Sequence, residues 1–188
     1  MTLAQIMRMA LVMLGEDAAD MDEYADAFRL YANEGYAELV QQYAKPRETF
    51  VLAADERGFV PTDGLDILRV VGVWRTKDGR REALPFEPAP DGAGVSVPVH
   101  DEDVELLCEV TRPPLEEDTD EPCLPPSAHG ALINYICYRH LLTGNLAKQS
   151  RAQAFRSLYY QQAAALRPQG MGSVRRMRGL YDATDIRG

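Results

Sequence analysis

Residues 22–52 read DEYADAFRLYANEGYAELVQQYAKPRETFVL, and the change of period inside this stretch decides the fold. From Asp22 to Tyr43 the positions Tyr24, Phe28, Tyr31, Ala32, Gly35, Leu39, Val40 and Tyr43 recur every three or four residues and line one side of a helix. At about 1.5 Å per residue that helix is roughly 33 Å long. Pro46 ends it, because proline lacks an amide hydrogen and its ring collides with the preceding turn. Gly35 costs about 1 kcal/mol in mid-helix relative to alanine, which points to a close helix crossing there. At Thr49-Phe50-Val51-Leu52 the residues become β-branched and aromatic, and a strand period takes over.

Upstream, Thr2 caps a first helix whose apolar positions Leu3, Ile6, Met7, Ala10, Leu11 and Leu14 share a face, and Gly15 stops it. Downstream, residues 67–74, 95–99 and 104–111 read as further strands. Turn-forming groups separate them: Pro61-Thr62-Asp63-Gly64, Lys77-Asp78-Gly79 and Pro88-Ala89-Pro90-Asp91-Gly92. Asp78-Gly79 suits the centre of a tight hairpin turn, and Pro98 predicts an edge position for its strand. A proline-bracketed linker with five acids (Glu116, Glu117, Asp118, Asp120, Glu121) leads to a third helix that starts at Pro125-Pro126-Ser127. Ala131, Leu132, Tyr135, Ile136 and Leu142 form its stripe, widened by Ile133, Cys137 and Leu141. After Gly144-Asn145 a fourth helix runs from about Ala147 to Leu166, with Ala147, Ala154, Phe155, Leu158 and Ala165 expected inward.

The expected fold class is α+β: a four-helix bundle, two helices N-terminal and two C-terminal, with an inserted small antiparallel β lobe and an extended C-terminal arm. The expected boundaries are a helical pair at 1–46, the β lobe at 47–113, the acidic linker at 114–126, a second helical pair at 127–167 and the arm at 168–188. The two helical pairs form one domain.

Charge divides the chain. Residues 167–188 hold five arginines (Arg167, Arg175, Arg176, Arg178, Arg187) against Asp182 and Asp185, a balance of +3 within a chain total of −9. The body, residues 1–166, therefore carries −12. A sequence pI of 4.8 opposes general nucleic-acid binding, since such a body repels phosphates. A basic, Gly-punctuated arm on an acidic body reads as one that seeks a partner surface, the plainer alternative being a frayed terminus. Residues 3–14 are apolar but broken by Arg8 and far short of the ~18 or more needed to span a bilayer, so neither a membrane span nor a signal peptide is expected. Three cysteines (Cys108, Cys123, Cys137) without tight spacing read as reduced thiols in a cytoplasmic setting.

Motifs of catalysis are missing. There is no Gly-x-Ser-x-Gly elbow, and Asp91-Gly92-Ala93-Gly94 lacks the lysine and following helix of a phosphate loop. Cys137 and His140 could share a helix face, with Cys123 and His129 the only further ligand candidates; the plainer reading is a core thiol and a surface or interface imidazole. The acidic linker lacks the alternating ligands and glycine of a calcium loop and reads as a solvated connection. The eight tyrosines of the second, third and fourth helices exceed what one core satisfies, which places some of them in subunit contacts. The expectation is a non-enzymatic protein with no cofactor and no metal.

Three stretches resemble the head-to-tail connector (adaptor) proteins of tailed bacteriophages. They are ADMDEYADAFRLYANEGYAELVQQY at 19–43, GFVPTDGLDILRVVGVWRTKDGRREALPF at 58–86, and VTRPPLEEDTDEPCLPPSAHGALINYICYRHLL at 110–142 with the helix NLAKQSRAQAFRSLYYQQAAAL that follows. The resemblance implies a structural virion protein in the neck, assembled in the host cytoplasm, as a homo-oligomeric ring commonly of twelve copies below the portal. It implies the portal protein and a further neck or tail protein as partners, packaged DNA passing without specific binding, and no membrane. The arm residues Arg175, Arg176, Arg178, Leu180, Tyr181, Ile186 and Arg187 are then the expected portal-docking set. Two alternatives are another neck or tail-completion protein, and a small DNA-binding regulatory protein that uses the basic arm.

Overall fold

The computed structural model describes residues 1–166 and has an α+β fold with four helices and two antiparallel sheets. Chain contacts divide it into a helical unit (1–45 and 112–166) and a β unit (46–111).

In the helical unit, α1 (Leu3–Leu14) opens with a capping box in which the Thr2 hydroxyl accepts from the Gln5 amide and the Gln5 side chain accepts from the Thr2 amide. All six positions of its expected apolar face are buried, and Gly15 closes it at φ 84°. A 3-10 turn (Ala18–Asp20) leads into α2 (Met21–Glu38). The helix expected to run unbroken to Tyr43 instead widens into a π-helical turn over Leu39–Ala44, closed by the Lys45 amide donating to the Val40 carbonyl. The wider turn keeps Leu39, Val40 and Ala44 all buried before the chain leaves at Pro46.

A 3-10 turn (Pro126–Ala128) precedes α3 (His129–Leu141), which is buried on most sides because α1, α2 and α4 all pack on it. The crossing expected at Gly35 is there: a Cβ on Gly35 would lie 2.8 Å from Cγ of Tyr135. α4 (Leu146–Ala164) is capped by Asn145, whose side chain accepts from the Lys148 amide at 3.1 Å. Its buried face corrects the sequence expectation. Ala152, Tyr159 and Ala163 are buried and Phe155 half-buried, whereas Ala147, Ala154, Leu158 and Ala165 face solvent. α4 carries two apolar stripes, and the inward one is chosen by α3: small Ala152 and Ala163 flank Tyr159, whose ring meets Tyr135 edge-on at 5.0 Å.

The β unit holds β1 (Arg47–Ala53), β2 (Phe59–Pro61), β3 (Ile67–Lys77), β4 (Arg80–Leu84), β5 (Glu87–Pro88), β6 (Gly94–Ser96) and β7 (Asp103–Val110). One sheet has the order β1-β7-β3-β4 and the other β2-β6-β5, and both contribute to a single core around Phe50, Val60, Val73, Val95, Leu106 and Cys108. The expected hairpin turn joins β3 to β4, with both Asp78 (φ 50°) and Gly79 (φ 74°) left-handed, as a type I′ turn requires. The edge position expected from Pro98 is overturned. β6 stops at Ser96, before the proline, and so pairs on both sides as the middle strand of its sheet.

Candidate interaction surfaces

The seven arm residues expected to dock lie outside the described residues. Cys108, Cys137 and His129 are buried in the core, and His100 is exposed. Cys137 Sγ donates to the Ala10 carbonyl at 3.5 Å, and burial pushes its thiol up to about 12, as it does that of Cys108. The half-buried His140 meets the rings of Tyr24 and Phe28 edge-on at 5.3 and 5.5 Å, and burial lowers its pKa, with Lys148 adding to the shift. Cys123 is exposed. Among the described residues no three His, Cys, Asp or Glu side chains gather as they would around a metal ion.

The acidic linker is more than the solvated connection its composition implies. Leu115 is buried in the helical core. The Asn33 amide grips its backbone from both sides, Nδ2 donating to the Leu115 carbonyl (2.9 Å) and Oδ1 accepting from its amide (2.7 Å). The Asp120 carboxylate accepts from the amides of Glu117 and Glu116, which holds its pKa below the usual range. The carbonyls of Asp120 and Asp118 accept from the Leu3 and Ala4 amides at the start of α1, and Arg29 pairs with Asp118 at 2.6 Å. Composition revealed the charge; the anchoring depends on Asn33 and Leu115, which are 82 residues apart in sequence.

Charge is segregated in a way sequence reading passed over. The run 122–166 has four Arg or Lys (Arg139, Lys148, Arg151, Arg156) and no Asp or Glu. Arg139 pairs with Glu34 at 3.1 Å, and Arg151 donates to the Met13 and Leu14 carbonyls that end α1. Arg156 differs. Its guanidinium lies 5.8 Å from the ring centre of Tyr138 and 5.5 Å from that of Tyr160, with no carboxylate partner among the described residues. Conversely, Asp20, Asp22, Glu23 and Asp26 line the start of α2 in exposed positions, and none of their carboxylates makes a hydrogen bond or ion pair among the described residues.

On the β unit, the outer face of the four-stranded sheet carries a cross-strand rung. Glu109 of β7 sits opposite Arg47 of β1 and Arg69 of β3. Its buried carboxylate accepts from Arg69 Nε at 2.8 Å and from Arg47 at 3.3 Å. Burial raises its pKa, but the two guanidinium groups outweigh that and the net shift is downward. A second rung joins Glu105 to Arg81 at 3.2 Å, with Arg81 stacked 4.2 Å from the centre of Trp74.

The polar clusters brace the fold, while Tyr160, Arg156 and the carboxylates at the start of α2 face solvent. The profile of the SU10 adaptor protein family matches residues 1–182, and the chain belongs to that family. It is a head-to-tail adaptor protein of bacteriophages, a structural protein of the virion. No curated protein matches the chain. No described helix is long and apolar enough to cross a membrane.

Proposed function

We propose that this adaptor forms a closed ring in the neck of the virion, beneath the portal, joins the DNA-filled capsid to the tail and gives DNA its conduit. The observation that carries this reading is the family match over residues 1–182. The ring closes through heterologous contacts, one surface of each copy against a different surface of the next. The helical pairs act as one domain that forms the wall. The −12 body suits a conduit, because fixed carboxylates repel phosphates over a screened distance of about 8–10 Å and keep packaged DNA from adhering. The arm docks on the portal: Arg175, Arg176, Arg178 and Arg187 pair with acidic portal groups, while Leu180, Tyr181 and Ile186 fill pockets. Ordering the arm offsets part of that contact energy, which suits attachment that waits for a filled head. The opposite face of the ring receives a further neck or tail protein.

The test mixes the purified chain with portal protein and images the product by negative stain. A twelve-copy ring of 20.9 kDa chains adds about 250 kDa to the portal. Deleting residues 168–188 is expected to leave a folded protein that no longer attaches, and a truncated chain that still copurifies with portal overturns the role of the arm. DNA retention that weakens steeply with salt would replace this reading with the DNA-binding one.

A further inference from the structure

We infer that the Tyr138–Arg156–Tyr160 patch on α3 and α4 is a docking site for a second copy of this chain, and that it receives the acidic start of α2, Asp20 to Asp26. This rests on the ring reading above and names the contact that builds it.

Three observations carry the assignment. First, Arg156 is held but unsatisfied. Two tyrosine rings lie 5.5–5.8 Å from its guanidinium, and all five of its N–H donors lack a carboxylate among the described residues. Tyr160 is 40% exposed and Tyr138 half-buried, while the rings beneath them, Tyr135 and Tyr159, are buried and locked at 5.0–6.0 Å centre to centre. Tyr and Arg are the residues on which interface energy concentrates.

Second, the same unit presents the complementary group. Asp20, Asp22, Glu23 and Asp26 are exposed and unpaired. In the 116–121 linker Asp118 is taken by Arg29 and Asp120 by backbone amides, whereas all four acids at the start of α2 have free carboxylates among the described residues.

Third, the patch and the acidic start of α2 lie apart on one copy. Tyr138 and His140 are two residues apart on α3, about 200° around its axis. His140 packs on Tyr24 at the acidic corner, so Tyr138 and Arg156 point away from it. Surfaces on opposite sides of one unit pair only between copies, head to tail, as a ring demands.

The experiment replaces Tyr160 with the photo-crosslinker benzoylphenylalanine in the full chain. Equal amounts of isotopically light and heavy protein are irradiated at low salt, alone and with portal protein. The expected result is mixed-isotope cross-links from position 160 to the tryptic peptide 9–29. Cross-links to other segments, same-isotope cross-links only, or none in either mixture overturn the contact. Charge exchange gives a second readout: Arg156→Glu and Glu23→Arg should each weaken self-association at least about tenfold, and the chain carrying both should recover to within about threefold. Two weak singles without recovery overturn the pairing. Copies that assemble while cross-linking elsewhere refute this contact and leave the ring standing; a chain that stays solitary even with portal refutes both.

Discussion

At Gly35 two effects of opposite sign compete. Alanine would gain about 1 kcal/mol of helix propensity. Its Cβ, however, would lie 2.8 Å from Cγ and 3.1 Å from Cβ of Tyr135, atoms near the root of a side chain that cannot swing aside. Overpacking of this kind costs about 1–3 kcal/mol, so Gly35→Ala is expected to lower stability, read as a lower midpoint in urea at unchanged slope. Glu109 gives a second test. Its folded pKa lies below the ordinary 4.5, so the native state binds fewer protons than the unfolded one and stability rises with pH. The contribution is present above pH 4.5 and is lost as pH falls through the folded value. Glu109→Gln should cost about 1–3 kcal/mol near neutral pH, and the gap to the parent protein should narrow on acidification below 4.5. A gap that stays constant down to pH 3 would mean that the rung contributes no charge-dependent stability.

The elements separate what the sequence made legible from what it could not. α1 is readable to the residue because cap, face and stop are all local: Thr2, six apolar positions and Gly15. The Asp78-Gly79 hairpin is readable for the same reason. The π-helical turn after α2 is not, since it answers to the need to bury Leu39, Val40 and Ala44 together. Neither is the inward face of α4, where two apolar stripes compete and only α3 decides between them. This correction makes a prediction: Leu158→Ser should change stability by less than about 1 kcal/mol, whereas Tyr159→Ala should cost about 3–5 kcal/mol because it empties a fully buried site. The opposite ranking in thermal melts would restore the stripe of Ala147, Ala154, Leu158 and Ala165 to the core. The proposed docking patch is only partly visible in the sequence. The tyrosine excess raises the expectation of subunit contacts, but Arg156 is indistinguishable in sequence from its neighbours Arg139 and Arg151, whose partners come from α2 and α1.

For the whole molecule, the chain enters and leaves the β unit at nearly one point. The Val110 amide donates to the Pro46 carbonyl at 3.0 Å, so the two ends of residues 46–111 meet within one hydrogen bond. Each unit has its own buried apolar cluster, one centred on Phe28, Leu132 and Ile136 and the other on Val60, Val73 and Leu106. Insertions with adjacent ends and a private core fold as units and come out without breaking their host. Residues 46–111 expressed alone are therefore expected to give a β-type circular dichroism spectrum and a cooperative melt; at this size a single core is marginal but sufficient. The complementary deletion, Lys45 joined to Arg112 through a short Gly-Ser linker, should keep the helical spectrum and the Tyr135–Tyr159 packing. If head-to-tail assembly lives in the helical unit, that shortened chain should still give light–heavy cross-links from position 160 to peptide 9–29. Loss of those cross-links from a chain that remains helical would move the subunit contact to the β unit.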